Sequence, residues 1–361
     1  MKKKILILAN NDIGLYKFRK ELIQELLSQG SVVYISLPDG EYIKELEKIG
    51  CKFINTEVDR RGLNPVSDLK LLFEYLRIIN QIKPEFVITY TIKPNIYGGI
   101  ACRIKKVPYA INITGLGTAF QNSGLLKTAV IALYKFACRN ARVVFFENED
   151  NQKKFVDAGI IPIEKTCKLN GAGVNFEEYP FTEYPPEGVT RFLFIGRVMK
   201  EKGVDELFDA AKKIKAEYNQ VEFDIVGPME DDYKETIERL VEQGVINYFG
   251  YQNDVKPFIE RCHCFVLPSY HEGMANTLLE AGAMGRPLIT SDIPGCREAV
   301  VDGKTGFLVK VKSSNALNDS FVSFINKDYS VKKLFGYSSY LIVSEKFDKC
   351  FIIKNTVEYL L

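Results

Sequence analysis

The chain of 361 residues has little histidine and no long apolar run. Its two histidines, His263 and His271, both stand in the second half. No apolar stretch approaches the roughly 20 residues of a membrane-spanning helix, so we expect any work at a membrane to be done from its surface. The sequence also has no tandem repeat and no low-complexity segment, which excludes solenoid and disordered proteins.

Eight cysteines are present, but their spacing is not that of a disulfide framework. Most stand inside apolar runs, and only Cys262 and Cys264 are close together. Cys262-His263-Cys264 could be a fragment of a metal site, yet the sequence has no second Cys and His cluster to complete four ligands. We therefore expect reduced, buried thiols in a cytoplasmic protein, and no metal.

The net charge of +2 conceals an asymmetry between the two halves of the chain. Residues 1–185 contain 26 Lys and Arg against 20 Asp and Glu, whereas the remainder contains 22 against 26. The first half is therefore the part expected to lie near anionic lipid or phosphate. We expect no nucleic-acid partner.

Apolar strand candidates alternate with amphipathic helical segments from residue 5 to residue 147, and again from residue 191 to residue 290. This alternation predicts parallel sheets covered by helices on both faces. The length also exceeds what one hydrophobic core usually organises. Residues 178–190, with three prolines and a glycine, interrupt both patterns. The sequence thus predicts an α/β protein with two doubly wound, Rossmann-like domains, residues 1–182 and 183–340, facing a cleft.

Two glutamates, Glu272 and Glu280, stand with seven residues between them. At about 100° per residue this interval is little more than two helical turns, so it predicts that both carboxylates lie on one edge of a short helix. Such a pair can bind several hydroxyls of one polar ligand. The residues 273–277 would present free backbone amides to an anion at the helix start.

A loop rich in glycine and cations follows the predicted strand at residues 192–195. It reads Gly196-Arg-Val-Met-Lys-Glu-Lys-Gly203. Open α/β sheets bind anions at such strand ends. The alternative is a helix amino terminus flanked by solvated charges; the glutamate pair downstream favours a binding site.

Together these segments resemble family-4 retaining glycosyltransferases of the GT-B fold, which transfer a sugar from a nucleotide diphosphate donor. The resemblance lies in six ordered blocks: residues 196–203, 224–228, 249–254, 265–269, the glutamate pair and residues 303–307. Weaker cues at residues 14–19, 59–65 and 113–117 resemble the branch that builds bacterial capsule, O-antigen and lipid-linked glycans.

The resemblance implies a GT-B architecture in which a last helix, residues 341–361, crosses back to the first domain. It also implies catalytic roles for Arg197, Lys202 and Glu272. The two cations would neutralise the departing diphosphate in place of a divalent metal, and Glu272 would lie near the donor-sugar hydroxyls. No cofactor is implied.

The expected donor contacts lie at strand ends and at the predicted helix start: Gly14, Gly196, Tyr251, Gln252, Gly273, Met274, Ala275, Asn276, Thr277 and Glu280. By the resemblance Glu280 would bind the ribose. Gly14 is expected in the loop after the first strand, where it would let backbone approach a ligand. Tyr251 could stack on uracil, with an ordinary turn residue as the alternative.

The expected acceptor contacts all lie in the first half: Lys17, Arg19, Arg60, Arg61, Thr114 and Gly115. Lys17 and Arg19 are candidates for an acceptor phosphate, and solvated helix charges are the equal alternative. Many family-4 relatives have a histidine near the position of Thr114 that contacts the donor sugar. The first half of this chain has none, so the backbone at residues 114–118 would take over that contact, and His271 is expected to pack structurally.

A predicted helix at residues 125–142 carries four cations within roughly 120° of arc: Lys127, Lys135, Arg139 and Arg142. Such a face can lie against anionic lipid, although a solvated face is the alternative.

Together with the resemblance, these observations predict a metal-independent retaining glycosyltransferase, peripheral on the inner face of the cytoplasmic membrane. It would move a hexose or N-acetylhexosamine from a UDP-sugar to a lipid-diphosphate-linked saccharide. The alternatives are a sugar-nucleotide epimerase of similar fold, which would need acid and base residues in the cleft, and a non-catalytic sugar-nucleotide-binding protein.

Overall fold

The computed structural model describes residues 2–59, 64–116 and 125–360. The chain divides into two compact units: unit 1 is Met1–Ala172 with Cys350–Leu361, and unit 2 is Gly173–Lys349. Each unit is built on a parallel sheet, so the predicted α/β class with two doubly wound domains is confirmed.

Unit 1 contains a seven-stranded parallel sheet in the order β3-β2-β1-β4-β5-β6-β7. Its strands are β1 (Lys4–Leu8), β2 (Val32–Leu37), β3 (Lys52–Asn55), β4 (Phe86–Tyr90), β5 (Tyr109–Ile113), β6 (Val143–Phe146) and β7 (Thr166–Lys168). Its helices up to residue 157 are α1 (Asp12–Ser28), α2 (Ile43–Ile49), α3 (Pro65–Ile82), α4 (Gly99–Lys105), α5 (Leu125–Cys138) and α6 (Glu149–Asp157). A π-helical turn, Pro94–Gly98, precedes α4, and a 3-10 turn, Ile163–Lys165, precedes β7.

The central strands of unit 1 are apolar on both faces, because each crossover helix covers one side of the sheet. Alternate residues of β1 point to opposite sides. Leu6 and Leu8 pack with α3, α4 and α5, whereas Ile5 and Ile7 pack with α1 and α2. The continuous apolar runs seen in the sequence are therefore strands with two buried faces.

Unit 2 contains a six-stranded parallel sheet in the order β10-β9-β8-β11-β12-β13. Its strands are β8 (Thr190–Ile195), β9 (Val221–Val226), β10 (Asn247–Tyr248), β11 (Cys264–Leu267), β12 (Leu288–Ser291) and β13 (Gly306–Val309). Its helices are α7 (Val204–Glu217), α8 (Lys234–Glu242), α9 (Lys256–Arg261), α10 (Asn276–Ala283), α11 (Ser314–Ile325) and α12 (Tyr329–Phe347). Three 3-10 turns add Lys200–Lys202, Asp231–Tyr233 and Arg297–Ala299.

The last helix, α13 (Lys349–Leu360), belongs to unit 1 from Cys350 onward. Ile352, Val357 and Leu360 complete the core on the α1 side of the unit 1 sheet. The predicted returning helix at residues 341–361 is therefore too long, because residues 341–347 end α12 within unit 2 and only the segment from Cys350 onward belongs to unit 1.

The first chain crossing into unit 2 lies at Gly173, ten residues before the predicted boundary at 182. Thr182 already belongs to unit 2, because the guanidinium of fully buried Arg286 binds its hydroxyl at 2.6 Å. The same guanidinium binds the carbonyls of Glu183 and Glu260 at 3.1 and 3.0 Å. The proline-rich segment is thus fastened to the core of unit 2.

His263 and its two cysteine neighbours are structural. Both thiols are buried, and the backbone N–H of Arg191 donates to His263 Nδ1 at 3.2 Å, so Nε2 carries the proton that faces the Pro186 carbonyl at 3.1 Å. Burial lowers the pKa of His263, which favours the neutral ring. Within the described ranges, no group of His, Cys, Asp and Glu is arranged to hold a metal ion, and no helix has the length and apolarity needed to cross a bilayer.

Candidate active site

Two loops leave neighbouring strands of the unit 2 sheet at the point where its strand order reverses. One is residues 196–203 after β8, and the other follows β11. The N–H of Tyr270 donates to the carbonyl of Glu201 at 2.8 Å. A Cβ on Gly203, whose φ is +70°, would lie 2.0 Å from the Pro268 carbonyl oxygen, so only glycine fits there. The two loops touch at the sheet edge where parallel α/β proteins bind ligands.

A polar cluster forms where these loops meet. Lys202 Nζ lies 2.5 Å from Glu272 Oε1, and Ser269 Oγ donates to the same oxygen at 2.7 Å. The Lys202 and Glu272 side chains are 20% and 13% exposed, respectively. Two of the three predicted catalytic residues are therefore held together, mostly buried but still partly exposed to solvent. Ser269 was not singled out as a functional residue in the sequence, although it ends the fourth motif block.

Glu272 does not lie on a helix, so the prediction that both glutamates share one helix edge is wrong. Helix α10 begins at Asn276, and only Glu280 lies within it. Ala275 has φ −80° and ψ 85°, outside the helical region, and its N–H donates to the Gly295 carbonyl at 2.8 Å. This long-range bond delays the start of the helix and leaves Glu272 in the loop with Lys202.

The start of α10 retains part of the predicted set of amide donors. The Ala275 amide is used by Gly295, which corrects that part of the prediction. Asn276 and Thr277 are the first two helical residues, whose amides have no acceptor inside a helix, and the N-cap Ala275 offers no side-chain cap. Gly295 has φ +86°, and a Cβ there would lie 2.4 Å from the Gly273 carbonyl oxygen. Close backbone packing thus shapes this helix start.

Asn276 also carries a buried acceptor. Its Oδ1 atom is inaccessible to solvent and receives no hydrogen bond from any residue that the structure describes. Leaving such an acceptor unsatisfied costs about 1–3 kcal/mol. Met274, two residues earlier in the chain, is 5% exposed and adds a buried apolar side chain to the same turn.

Glu280 faces Tyr179, a residue that sequence reasoning missed. Burial, followed by the charge of Glu280, raises the pKa of the Tyr179 phenol, so the two side chains lie near each other. No spacing could have revealed the contact, because the partners are far apart in the chain. The only signal was the presence of a tyrosine in the proline-rich segment, which the structure assigns to unit 2.

Arg197 leaves the end of β8 directly after Gly196. Its Nη1 pairs with Glu230 Oε1, and its side chain is 49% exposed. Gly196 donates its N–H to the Val226 carbonyl at 3.0 Å. A Cβ on Gly227, with φ +139°, would lie 1.9 Å from the Gly196 carbonyl oxygen, so the exits of β8 and β9 approach each other closely. Arg197 is thus an accessible cation at the same edge as Lys202, partnered by a carboxylate that the sequence did not suggest.

Tyr251 and Gln252 follow β10. Tyr251 is 50% exposed, which suits either a stacking surface or an ordinary turn. The side-chain amide of Gln252 donates to the Phe249 carbonyl at 2.7 Å and so closes its own loop.

Gly14 lies in unit 1 within the first turn of α1, not in a loop as predicted. The N-cap Asn11 explains this, because its Oδ1 accepts the Gly14 N–H at 2.6 Å. The Gly14 amide is therefore engaged in helix capping. Thr114 and Gly115 follow β5 directly, and a Cβ on Gly115 would meet no described residue within 4 Å.

The predicted acceptor cations of α1 already have partners. Arg19 Nη2 lies 2.7 Å from Glu147 Oε1, with both side chains about nine-tenths buried, and its guanidinium lies 5.0 Å from the ring centre of Tyr90. Lys17 Nζ lies 6.0 Å from the ring centre of Tyr42. A phosphate would have to compete with Glu147 for Arg19. Arg60 and Arg61 lie outside the described residues.

The end of β4 carries a backbone feature that the sequence analysis did not single out. Thr91 has φ +72°, an unfavourable conformation for a β-branched residue, and Pro94–Gly98 forms the π-helical turn just beyond it. Such strain costs about 1–3 kcal/mol and clusters at functional sites. Lys93, between them, lies 2.7 Å from Asp68 Oδ1. The only sequence signal for this backbone feature was Pro94, which stands shortly after a predicted strand.

Comparisons with known proteins agree with this arrangement. Residues 175–338 match the family model described as glycosyl transferases group 1, and residues 4–148 match the one described as glycosyl transferase 4-like. These segments lie within unit 2 and unit 1, respectively.

Two curated relatives are similar over most of their length. The chain is 27% identical over 342 residues to the N,N'-diacetylbacillosaminyl-diphospho-undecaprenol alpha-1,3-N-acetylgalactosaminyltransferase of Campylobacter jejuni, with 90% of both proteins covered. It is 29% identical over 289 residues to the UDP-Gal:alpha-D-GlcNAc-diphosphoundecaprenol alpha-1,3-galactosyltransferase of Escherichia coli, with 74% of this chain and 71% of that protein covered.

Among solved structures, Anabaena HepE in complex with UDP and glucose has the same fold, with a TM-score of 0.81. The alignment covers 99% of this chain and 98% of HepE at 19% identity. Both family models, the two-sheet architecture and the motif blocks of unit 2 point to the same conclusion. The chain is thus built from a glycosyl transferase 4-like unit and a glycosyl transferases group 1 unit, in the GT-B fold.

Proposed function

We propose that this glycosyltransferase moves a hexose or N-acetylhexosamine, with retention, from a UDP-sugar to a saccharide linked by diphosphate to a polyprenol. The observation that carries the proposal is the cluster of Lys202, Glu272 and Ser269 at the edge of the unit 2 sheet. It combines a cation, an oriented carboxylate and, nearby, the amides that begin α10. These are the groups that a sugar diphosphate requires.

The donor diphosphate would bind between the cations and the helix start. Cleavage of the bond from sugar C1 to oxygen places negative charge on the β-phosphate, and Lys202 and Arg197 supply compensating charge. The amides of Asn276 and Thr277 supply further donors aligned with the helix dipole. The Escherichia coli relative has UDP-Gal in its name, and HepE was solved with UDP, which supports a uridine donor.

Glu272 would orient the donor sugar and would not attack it. Its Oε1 is occupied by Lys202 and Ser269, so its second oxygen is the one offered to sugar hydroxyls. In the transfer step the acceptor oxygen forms a bond to C1 on the face from which UDP departs. The proton of the acceptor hydroxyl passes to the departing β-phosphate oxygen. Because the new bond to C1 forms on the face that UDP leaves, the α configuration of the sugar is retained.

The charge of unit 1 and the names of the curated relatives both support a lipid-linked diphosphate acceptor. Unit 1 has 27 Lys and Arg against 18 Asp and Glu, a net charge of +9, which suits a diphosphate acceptor at an anionic membrane. Both curated relatives described above have a sugar-diphospho-undecaprenol in their names. We place the protein peripherally on the cytoplasmic face, where such acceptors are built.

Release of UDP tests this function. A panel of UDP-sugars, each with undecaprenyl diphosphate N-acetylglucosamine as acceptor, should give UDP only when donor and acceptor are both present. An epimerase would convert the donor without acceptor, and a binding protein would release nothing. Either of those results across the whole panel would reject the proposal.

Because Lys202 and Arg197 supply the positive charge, we expect transfer to continue in excess EDTA. The measurement is the initial rate of UDP release before and after chelation, with added Mg²⁺ as the comparison. Abolition by EDTA with recovery on adding metal would contradict the assignment of the cations.

Tyr179→Phe should weaken UDP binding roughly fivefold, about 1 kcal/mol, by removing the phenol hydroxyl that lies near Glu280 and helps to orient it. Isothermal titration with UDP measures this change. Tyr329→Phe is the matched control, because it removes a phenol of the same unit whose partner is the Pro185 carbonyl at 3.0 Å. Equal UDP affinity of Tyr179→Phe and the wild type would separate Tyr179 from the site.

A further inference from the structure

Three large apolar side chains stand exposed on the first half of α3. Val66 is 62% exposed, Leu69 53% and Phe73 61%. At about 100° per residue they fall within about 60° of arc. The opposite face of the helix is buried in the core of unit 1: Leu71, Tyr75, Ile78, Ile79 and Ile82. Single exposed apolar residues are ordinary, but three on one face of two turns form a patch.

The exposed face changes character along the helix. Beyond Phe73 it continues with the polar residues Arg77, Asn80 and Gln81. The apolar patch is therefore confined to the first two turns. Lys70 is exposed on the same face as the patch, about 40° from Val66. An apolar stripe beside a cation is the pattern of a helix that lies in a membrane interface.

The patch lies toward the sheet edge at which ligands bind. Asp68, between Val66 and Leu69, accepts the Tyr97 hydroxyl at 2.8 Å and faces Lys93 Nζ at 2.7 Å, and both partners follow the end of β4. At the other end of α3, the Ile82 carbonyl accepts from Lys4 Nζ at 3.1 Å, where β1 begins. The first half of α3 is thus next to the strained exit of β4, in the unit that carries the expected acceptor contacts.

Charge indicates which partner covers the patch. The two acids on this half of α3 are neutralised, Asp68 by Lys93 and Glu74 by Arg77 at 2.6 Å. The surface therefore offers apolar side chains and uncompensated positive charge, in a unit whose net charge is +9. We propose that Val66, Leu69, Phe73 and Lys70 dock unit 1 on an anionic lipid bilayer. The inference rests on the proposed function, since a polyprenol-linked acceptor is confined to the membrane.

The basic segment predicted as a helix over residues 125–142 is a weaker candidate for this role, because α5 ends at Cys138 and leaves Arg139 and Arg142 outside the helix. The guanidinium of Arg142 lies 5.9 Å from the ring centre of Phe86, the first residue of β4, and the Arg139 carbonyl accepts from Lys165. Two of its four cations therefore lie toward the amino edge of the sheet. A bilayer contact made through α3 would not require them.

Sedimentation of the full chain with phosphatidylglycerol vesicles tests the proposal. Leu69→Gln/Phe73→Gln should lower the vesicle partition coefficient roughly tenfold or more, since two large side chains no longer enter the interface. Leu334→Gln/Leu341→Gln on α12 is the matched control. Those leucines are 59% and 46% exposed, but they lie in the unit with net charge −7, and their replacement should leave binding unchanged.

Three further measurements separate the outcomes. Replacing Lys127, Lys135, Arg139 and Arg142 with Gln should reduce binding less than the α3 change does; the opposite order would overturn the proposal. Vesicle binding by the α3 variant equal to that of the wild type would also overturn it. So would a wild type that is dimeric in solution together with an α3 variant that is monomeric. Transfer to a short-chain soluble acceptor should be equal in the wild type and the α3 variant. If neither protein transfers sugar to the soluble acceptor, the proposed transferase function is rejected. The vesicle measurements would still test whether α3 binds the bilayer.

Discussion

Lys202→Ala is expected to lower kcat by about a hundredfold or more, on the scale of about 3 kcal/mol for losing a transition-state donor. The reason is twofold. The variant loses the cation that faces the departing diphosphate, and it leaves the Glu272 carboxylate, 13% exposed, without the partner 2.5 Å away. That uncompensated charge would repel the donor phosphates. Arg197→Ala should also lower kcat by orders of magnitude, although the Arg197 side chain is half exposed and pairs with Glu230, not with Glu272.

Lys200→Ala is the control for this experiment. Lys200 begins the same 3-10 turn, carries the same charge and is exposed, so its removal should change kcat less than threefold or so. Initial rates of UDP release at saturating donor compare the variants. Near wild-type turnover in both Lys202→Ala and Arg197→Ala would remove these residues from the chemistry.

Glu280→Gln and Glu272→Gln should separate binding of the nucleotide from use of the sugar. Glu280 lies in α10 against Tyr179, whereas Glu272 lies in the loop with Lys202 and Ser269. If Glu280 binds the ribose, its replacement should weaken UDP itself by about tenfold or more, because a hydrogen bond to a charged group contributes about 1.5–3 kcal/mol. Glu272→Gln should leave UDP affinity within about threefold of wild type and reduce kcat/KM for the intact donor.

Isothermal titration with UDP, followed by steady-state kinetics with the UDP-sugar, makes this comparison. The control is Glu298→Gln, whose carboxylate accepts the Gly295 N–H at 2.8 Å in the neighbouring loop. Equal loss of UDP affinity in the two site variants would contradict the division of roles.

The fold was predictable because parallel sheets buried on both faces leave a strong periodic signal. Apolar runs such as residues 5–8 and 192–195 became central strands. The boundary between the units was less accessible to prediction. Composition placed it at the prolines, but Arg286 ties Thr182 and Glu183 to the core of unit 2, and such long-range contacts leave no local pattern.

The candidate site, like the fold, could be predicted from the sequence only in part. The motif blocks identified Lys202 and Glu272, which the structure brings into contact. Helical spacing misplaced Glu272, because α10 starts only at Asn276, after Ala275 donates its N–H to the distant Gly295 carbonyl. Tyr179 could not be predicted either, because its contact with Glu280 joins residues that are distant in the sequence.

Unit 1 illustrates a second limit of sequence reasoning. Arg19 has the charge that an acceptor phosphate needs, yet Glu147 already neutralises it at 2.7 Å. The strained φ of Thr91 is a backbone property that no residue type announces. Residue identity therefore indicated which groups could act, whereas folding decided which of them are paired.

The measurement that tests the central claim most directly follows one labelled sugar from donor to acceptor. The chain is incubated with an α-configured UDP-sugar, ¹³C-labelled in the sugar, and undecaprenyl diphosphate N-acetylglucosamine, and the anomeric coupling of the purified product is read by NMR. We predict one UDP released for each glycoside formed, and an α linkage in the product. A β linkage would contradict retention, and the absence of any labelled lipid-linked glycoside across the panel of UDP-sugars would contradict the proposed transfer itself.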